Sequence, residues 1–154
     1  MTVAGKSVSY HKKFKFVVEI DGIPEARFVK AGPMEAEIAE IEQHGGGSLV
    51  GDKEPGRVKF TDITLEQGVT GNFDLYKWFK EVANVAANSG LITPNYKRNL
   101  DIVQQDRDGT TLRRWRIYEA WPKKFKAGDW DNDADENVME SVVLSLKYWE
   151  QVGA

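Results

Sequence analysis

The residue pattern closest to a chemical site is an acidic run near the carboxyl end of the chain. Six oxygen-bearing residues occupy positions one, three, five, seven, nine and twelve of residues 129–140, the spacing of a calcium loop: Asp129, Asp131, Asp133, Asp135, Asn137 and Glu140. Position six, where the sharp turn needs glycine, is Ala134, and Glu140 belongs to an apolar alternating pattern. The sequence therefore favours a solvated acidic turn over a calcium site.

A glycine-rich stretch resembles a phosphate-binding loop in composition. Residues 45–48 (GGGS) precede residues 51–53 (GDK), but the lysine is one position late and Glu54 stands where Ser or Thr is needed. Strand-like segments flank the stretch on both sides, so no helix N-terminus is available for a phosphate. We interpret it as a mobile loop.

The residue types that catalysis needs are scarce. His11 and His44 are the only histidines, neither has an acidic or histidine partner at a ligand spacing, and cysteine is absent. No carboxylate pair stands out by spacing as an acid/base dyad. We therefore expect a protein that is not an enzyme, without catalytic residues, cofactor or metal. The basic run of residues 123–126 is interpreted as a solvated strand end, with a docking patch for an acidic neighbour as the alternative.

Composition places the chain among ordinary soluble domains. It has 154 residues, 41% hydrophobic and 29% charged, which suffices for one domain with one core. A formal charge of -3 and a pI near 5.5 argue against a general nucleic-acid binder. No run approaches the ~20 apolar residues of a membrane span, and the first residues lack the apolar region of a secretory signal. A cytoplasmic origin is the default expectation.

The periodicity predicts a mainly β (α+β) fold, an antiparallel β-sandwich or barrel with one α-helix covering a side or end. Residues 1–13 are predicted to be a flexible arm and residues 14–154 a single domain. Strands are predicted at residues 14–20, 25–31, 34–42, 57–67, 99–105, 110–121 and 138–152, and a helix at 73–88. The predicted core stripe of the helix is Phe73, Tyr76, Phe79, Val82, Ala83 and Ala86, which leaves Trp78 to face a neighbour.

Two of these strands share an unusual feature. In residues 34–42 the apolar side holds Ile38 and then Ile41, which requires one extra residue near Ala39. In residues 57–67 the apolar side passes from Phe60 to Ile63 by a similar slip. Each strand thereby keeps one apolar and one polar side, and the polar side of the first is a row of glutamates that must face water.

The order of motifs resembles the tail-tube (inner-tube) proteins of contractile-tailed phages and related contractile injection systems. Four pieces carry the likeness: FKFVVEIDGIPEARFVKAGPMEAEIAEIE from Phe14; Pro55-Gly56 followed by RVKFTDITLEQGVT; the helix start LYKWF; and Trp121-Pro122, Lys124, Asn137 to Glu140 and the final strand. Together they cover roughly residues 14–152. The acidic loop GDWDNDADE is richer in Asp than this family pattern.

The resemblance implies homohexameric rings that stack into a tube inside a contractile sheath. Each subunit would contribute strands to a continuous intersubunit barrel around a channel that conducts DNA in a phage. Implied partners are further copies of the chain, the sheath protein, baseplate and tail-terminator proteins, and a tape-measure protein and DNA in the lumen without specific binding. No membrane insertion is expected. The implied location is the virion tail tube, assembled in the cytoplasm of the bacterial host.

Two groups of residues acquire expected roles from this resemblance. A net-acidic channel lining, which would repel DNA phosphates, is expected from Glu35, Glu37, Glu40, Glu42, Lys59, Thr61, Thr64 and Glu66. An inter-ring loop is expected from His44, Gly45, Gly46, Gly47, Ser48, Leu49, Val50, Gly51, Asp52, Lys53, Glu54, Pro55 and Gly56.

Three alternatives stay open at this point. The tube could belong to an injection system that carries protein effectors. The glutamates could lie on the exterior of the tube, toward a sheath partner. A monomeric β-barrel that binds a small ligand or calcium is the remaining interpretation.

Overall fold

The computed structural model describes residues 15–23, 27–43, 45–47, 49–69, 73–87, 96–133 and 135–153. The predicted N-terminal arm, residues 1–13, lies outside the described residues. Within these ranges the elements are β1 (Phe16–Ile20), β2 (Lys30–Gly32), β3 (Ala36–Gln43), β4 (Asp52–Phe60), β5 (Ile63–Gly68), α1 (Asp74–Ala87), β6 (Arg98–Gln105), β7 (Thr111–Lys126), β8 (Met139–Ser145) and β9 (Tyr148–Gly153). The predicted mainly β antiparallel fold with one helix is confirmed.

The long strand β7 joins two halves of the main sheet. The strand order is β1-β6-β7-β8-β5-β2, β9 also pairs with β7, and β3 pairs with β4 in a separate hairpin. The first half of β7 pairs with β6 and β9, and its second half pairs with β8. Between the halves, Glu119 has a positive φ of 51°. A residue in this conformation bends the strand, which lets one strand serve two sheet halves.

The predicted final strand, residues 138–152, is two strands in the structure. β8 ends at Ser145 and β9 begins at Tyr148, and the Lys147 amide between them donates a hydrogen bond to the Tyr118 carbonyl at 3.1 Å. The break falls where the chain stops pairing with the second half of β7 and begins to pair with its first half. Alternation alone does not show such a break, because apolar and polar residues of the sequence keep alternating from Leu144 to Lys147.

The two sheet halves pack against each other and against the helix. The fully buried side chains come from both halves and from α1, and include Leu100, Ile117, Ile63, Leu65, Val142, Leu144, Leu75 and Trp78. In β5 and β8 buried and half-buried residues alternate, as expected for strands with one side in the core.

The predicted core stripe of the helix was wrong at Phe73 and Tyr76, although Val82 packs against the core as predicted. Trp78 is 1% exposed, and its indole Nε1 donates a hydrogen bond of 2.6 Å to the Tyr96 carbonyl. Phe73 and Tyr76, expected in the core, are 57% and 45% exposed. The core side of α1 instead follows Leu75 and Trp78, one helical turn apart. A buried indole needs a hydrogen-bond partner, and the carbonyl supplies it.

Candidate assembly interface

The β3–β4 hairpin stands apart from the packed body of the molecule. Every residue of β3 is exposed, and the apolar side chains of Ile38, Ile41 and Val58 are 57%, 47% and 51% exposed. At its base, Phe60 packs edge-on against Trp149 with ring centroids 5.4 Å apart. A two-stranded hairpin is marginally stable in water, so these uncovered apolar side chains make it a candidate contact surface.

The prediction of an extra residue near Ala39 was wrong. Between the pairs Ile38–Val58 and Glu40–Pro55, β3 advances two residues and β4 three, so the extra residue lies in β4 and Ile41 lies on the side opposite Ile38. Gly56 lies in this bulge, across from Ala39. A Cβ at that position would be 3.0 Å from the Ala39 carbonyl oxygen and 3.2 Å from Ile41 side-chain atoms. Only glycine lets the two strands approach this closely.

The hairpin continues the main sheet as one ribbon. Gly32 pairs with Thr64 in β2 and β5, and Ala36 pairs with Phe60 in β3 and β4, with the same register on both sides of the junction. The Thr61 amide bridges the gap by donating to the Glu35 carbonyl at 3.1 Å. The strand predicted at 57–67 is therefore two strands, β4 and β5, of one ribbon, and the slip from Phe60 to Ile63 coincides with the break between them.

The eight expected lining residues divide between two parts of this ribbon. Thr64 and Glu66 alternate with the buried Ile63 and Leu65, so they lie on the side of β5 that faces away from the core. The other six lie on the hairpin and at its base: Glu35, Glu37, Glu40, Glu42, Lys59 and Thr61. The register places Glu40 and Glu42 on the side of Ile38, and Glu37 and Lys59 on the side of Ile41. The four glutamates therefore do not form a row on one side of the hairpin.

Bases accompany the glutamates of the hairpin. Lys59 pairs across from Glu37, and the Lys53 ammonium lies 3.1 Å from the Glu40 carboxylate. Alternation along β4 places Arg57 on the side of Lys59, and Lys30 pairs across from Glu66. The row of glutamates was read from one strand, whereas the bases come from the partner strands. Both sides of the hairpin therefore carry charges of both signs.

The glycine-rich loop is shorter than predicted. Asp52 to Gly56 belong to β4 and pair with β3, so the connection covers residues 44–51, of which His44 and Ser48 lie outside the described residues. Gly47 has a φ of 82°, a conformation that glycine adopts at little cost. Leu49 and Val50 are 103% and 77% exposed. The hairpin thus ends in a tip with apolar side chains in solvent.

Residues 12–150 match the family model described as the T4-like virus tail tube protein gp19. The chain belongs to this tail tube family. The resemblance stated from the sequence is confirmed, and the chain is a tail-tube-type component of a contractile tail or contractile injection particle. No curated protein matches the chain in a sequence comparison.

Solved structures share the fold over most of the chain. A chain in the cryo-EM structure of the anti-feeding prophage tube terminating cap has a TM-score of 0.79 and 22% identity, with 100% of both chains covered. A chain in the sheath-tube complex of an extracellular contractile injection system, PVC, has a TM-score of 0.72 and 20% identity, covering 94% of this chain and 93% of that one. Hcp1 from Flavobacterium johnsoniae has a TM-score of 0.53 and 18% identity, covering 90% and 95%.

The acidic run of this tail tube protein does not form a metal centre among the described residues. No cluster of three or more His, Cys, Asp or Glu side chains there could hold a metal ion, and Ala134 itself lies outside the described residues. Glu140 is 8% exposed and accepts a hydrogen bond of 2.5 Å from the Gln67 amide. Asp129 pairs with Lys126 at 3.3 Å. Within the described part of the chain, no helix is long and apolar enough to cross a membrane.

The predicted basic run, residues 123–126, lies in strand β7. Lys123 forms an ion pair with Asp62, and the Phe125 ring lies 6.0 Å from that of Phe79 on the helix. The run is therefore the end of a strand, as predicted, with one aromatic side chain turned toward α1.

A charge cluster on the outward side of β1, β6 and β7 was not predicted. Asp101 accepts hydrogen bonds from Arg114 at 2.6 Å and Arg116 at 3.0 Å, and Arg114 also contacts Glu19 at 3.1 Å. Burial raises the pKa of Asp101, but the hydrogen bonds and charges of the two arginines outweigh it and hold the pKa below its ordinary value. The cluster ties three strands together across 95 residues of sequence.

Proposed function

We propose that the protein is the repeating subunit of a contractile phage tail tube, in which hexameric rings stack around a channel that conducts DNA. The observation that carries the proposal is the hairpin, whose apolar side chains Ile38, Ile41 and Val58 are exposed in the single chain. Further copies of the chain would bury them, and repeated copies of one asymmetric contact make rings or filaments. The sheath, baseplate and tail-terminator proteins would then be partners of the tube, in the tail of the virion.

Ring closure also accounts for the ends of the main sheet. Among the described strands, β1 and β2 end the path of paired strands, and each leaves backbone groups on one side without a strand neighbour. Unpaired strand edges attract other strands, and closure into a barrel removes them. A continuous barrel made of strands from successive subunits is the arrangement we propose.

We propose that charged side chains of the ribbon line the channel. Its bases lie beside or across from carboxylates, as Lys53 does beside Glu40. Non-specific DNA affinity grows with the number of phosphates that cations neutralise, and paired cations offer few such contacts. A lining with paired charges would therefore let DNA or a tape-measure protein pass without specific binding.

A tube for protein effectors is the second candidate. It is favoured by the similarity of the fold to chains in extracellular contractile injection systems. A lining with paired charges suits a protein cargo as well as DNA, since neither sign is attracted strongly. Comparison of DNA delivery and protein delivery by assembled particles separates the two candidates.

The first experiment is assembly of the purified chain, measured by size-exclusion chromatography and negative-stain microscopy. Rings or stacked tubes are expected. A protein that stays monomeric over a wide range of concentrations would rule out the proposal.

The lining is tested by charge reversal of Glu35, Glu37, Glu40 and Glu42 to Lys. Unpaired lysines should retain DNA, so rings should form while DNA delivery slows. The matched control reverses four exposed acids of the loop before β8: Asp131, Asp133, Asp135 and Glu136. Delivery at the normal rate by the first variant, or equal slowing by the control, contradicts the lining assignment.

The role of the hairpin tip as an inter-ring contact is tested by deletion of residues 45–51, replaced by Asn-Gly. This change spares the paired residues of β3 and β4. Folded rings that stack into fewer and shorter tubes are expected. Tubes of normal length would contradict the inter-ring role.

A further inference from the structure

The β3–β4 hairpin leaves the body of the molecule through a break in both strands of the ribbon, between β2 and β3 and between β4 and β5. Every residue of β3 is exposed, so the body supports the hairpin near its base rather than along its length. At that base, Asp62 forms an ion pair with Lys123 of β7, and the Phe60 ring lies 5.4 Å from the ring of Trp149 in β9. Contacts at the base therefore decide the direction in which the hairpin points.

Trp149 is a fixed part of the body. It pairs across from Ile117, which is 0% exposed, so the indole lies on the core side of the sheet and packs against the core cluster. Its ring meets that of Trp115 edge-on, with centroids 5.3 Å apart and an interplanar angle of 89°. The guanidinium of Arg113 lies 5.3 Å from the centre of the Trp115 ring and restrains that ring in turn. The body therefore holds the indole against which Phe60 packs.

No hydrogen bond to a described residue holds the indole of Trp149 in place. Its Nε1 is buried and has no hydrogen-bond partner in the part of the chain that the structure describes. Buried indole N–H groups usually find an acceptor, as that of Trp78 does in the Tyr96 carbonyl. A buried donor without an acceptor costs free energy, so contacts of the ring itself must offset the cost. What Trp149 contributes is therefore the size and shape of its ring.

Phe60 is placed to use that ring. It is the last residue of β4, and its side chain lies outside the core cluster. We infer that Trp149 is a positioning residue, which fixes the direction of the hairpin through its contact with Phe60. A hairpin fixed in advance loses less conformational freedom when it meets a neighbouring chain, so assembly costs less free energy. This last step rests on the proposed function as a tube subunit, whereas the positioning itself is a property of the single chain.

Distance measurements between two spin labels test the positioning directly. The chain contains no cysteine, so labels attach only at introduced ones: Asp52→Cys at the far end of the hairpin and Lys80→Cys on α1, both exposed. Double electron-electron resonance is recorded on the single chain, below its critical concentration for assembly. One narrow distance distribution is expected with Trp149 in place. Phe60→Ala and Trp149→Ala should each broaden it, and Trp149→Phe should keep it narrow because an aromatic ring remains.

A double variant shows whether the two side chains act through one contact. If they do, Phe60→Ala combined with Trp149→Ala should broaden the distribution no further than either change alone. The matched control is Phe73→Ala, the same change at an exposed ring of the helix, and it should leave the distribution narrow. Because Phe60 lies outside the core, Phe60→Ala decides the outcome even if Trp149→Ala unfolds the chain. Widths equal to that of the control, or additive broadening in the double variant, would overturn the inference.

Assembly gives a second readout. Loss of one aromatic pair should raise the critical concentration for tube formation about twofold to tenfold in each alanine variant. Trp149→Phe should assemble within about twofold of the original. Broadened distances with an unchanged critical concentration would overturn the assembly step and leave the positioning of the hairpin standing. Failure of the unmodified chain to form rings or tubes would overturn the proposed function, whereas the distances, measured on single chains, would still decide the role of Trp149.

Discussion

Replacement of Ile38, Ile41 and Val58 by Thr should weaken assembly and leave the fold intact. Threonine keeps the β-branched shape that suits a strand, so the hairpin should persist. The three side chains are 57%, 47% and 51% exposed, so about half of each surface remains to be covered on assembly. Full burial of such a side chain stabilises by ~1.5–3 kcal/mol, so half of it in three side chains amounts to roughly 2–4 kcal/mol per interface.

This free energy translates into a measurable change in assembly. At 1.4 kcal/mol for each factor of ten, the critical concentration for tube formation should rise about 30-fold to 1,000-fold. Pelleting of tubes over a concentration series, with microscopy of the pellet, measures it. Thermal unfolding of the unassembled chain should change little, because the replaced side chains lie outside the core cluster.

The matched control is Leu65→Ala, at a position that is 0% exposed. It should lower the free energy of unfolding by roughly 2–5 kcal/mol, as deletion of a buried leucine does. A triple threonine variant that assembles at the original concentration would show that these three side chains do not lie in an interface. A triple variant as destabilised as the control would show that they support the fold of the single chain.

Three further outcomes are expected. Trp78→Phe should cost roughly 1–3 kcal/mol of stability in chemical denaturation, because the Tyr96 carbonyl loses its donor; an unchanged midpoint would contradict this. The folded-state pKa of Asp101 lies below its ordinary value of 3.8, so its ion pairs should stabilise the fold above that pH. This stabilisation should be lost as the pH falls through the folded pKa. Asp101→Asn should therefore flatten the loss of melting temperature in acid, and an unchanged profile would contradict this. Gly56→Ala should raise the critical concentration for assembly, because the new methyl group would be too close to the Ala39 carbonyl oxygen at the bulge. The melting temperature of the single chain should not change.

The features predicted correctly from the sequence are those set by local alternation. Alternation placed Thr64 and Glu66 opposite the buried side of β5. It failed at the hairpin, where an extra residue was predicted in β3 between Ile38 and Ile41, whereas the extra residue lies in β4. A strand with one apolar side records in its own residues which side is buried, so this information survives without knowledge of its neighbours.

The features that were missed depend on contacts between distant segments. In the helix, the stripe of Phe73 and Tyr76 and that of Leu75 and Trp78 are both apolar, and only the packing of β7 and the position of the Tyr96 carbonyl decide which is buried. The register that places Lys59 across from Glu37 is likewise a property of two strands. A glutamate row read along one strand therefore overestimated the negative charge of the surface.

The hairpin places opposite demands on its surroundings. Its carboxylates and bases already lie close together, as Lys53 does beside Glu40, and such exposed pairs are stable in water. Ile38 and Ile41 are also exposed, on opposite sides of β3, and each loses free energy as long as water covers it. If neighbouring subunits cover both side chains, the hairpin is contacted on both of its sides, and its charges need water or polar groups beside them in those contacts.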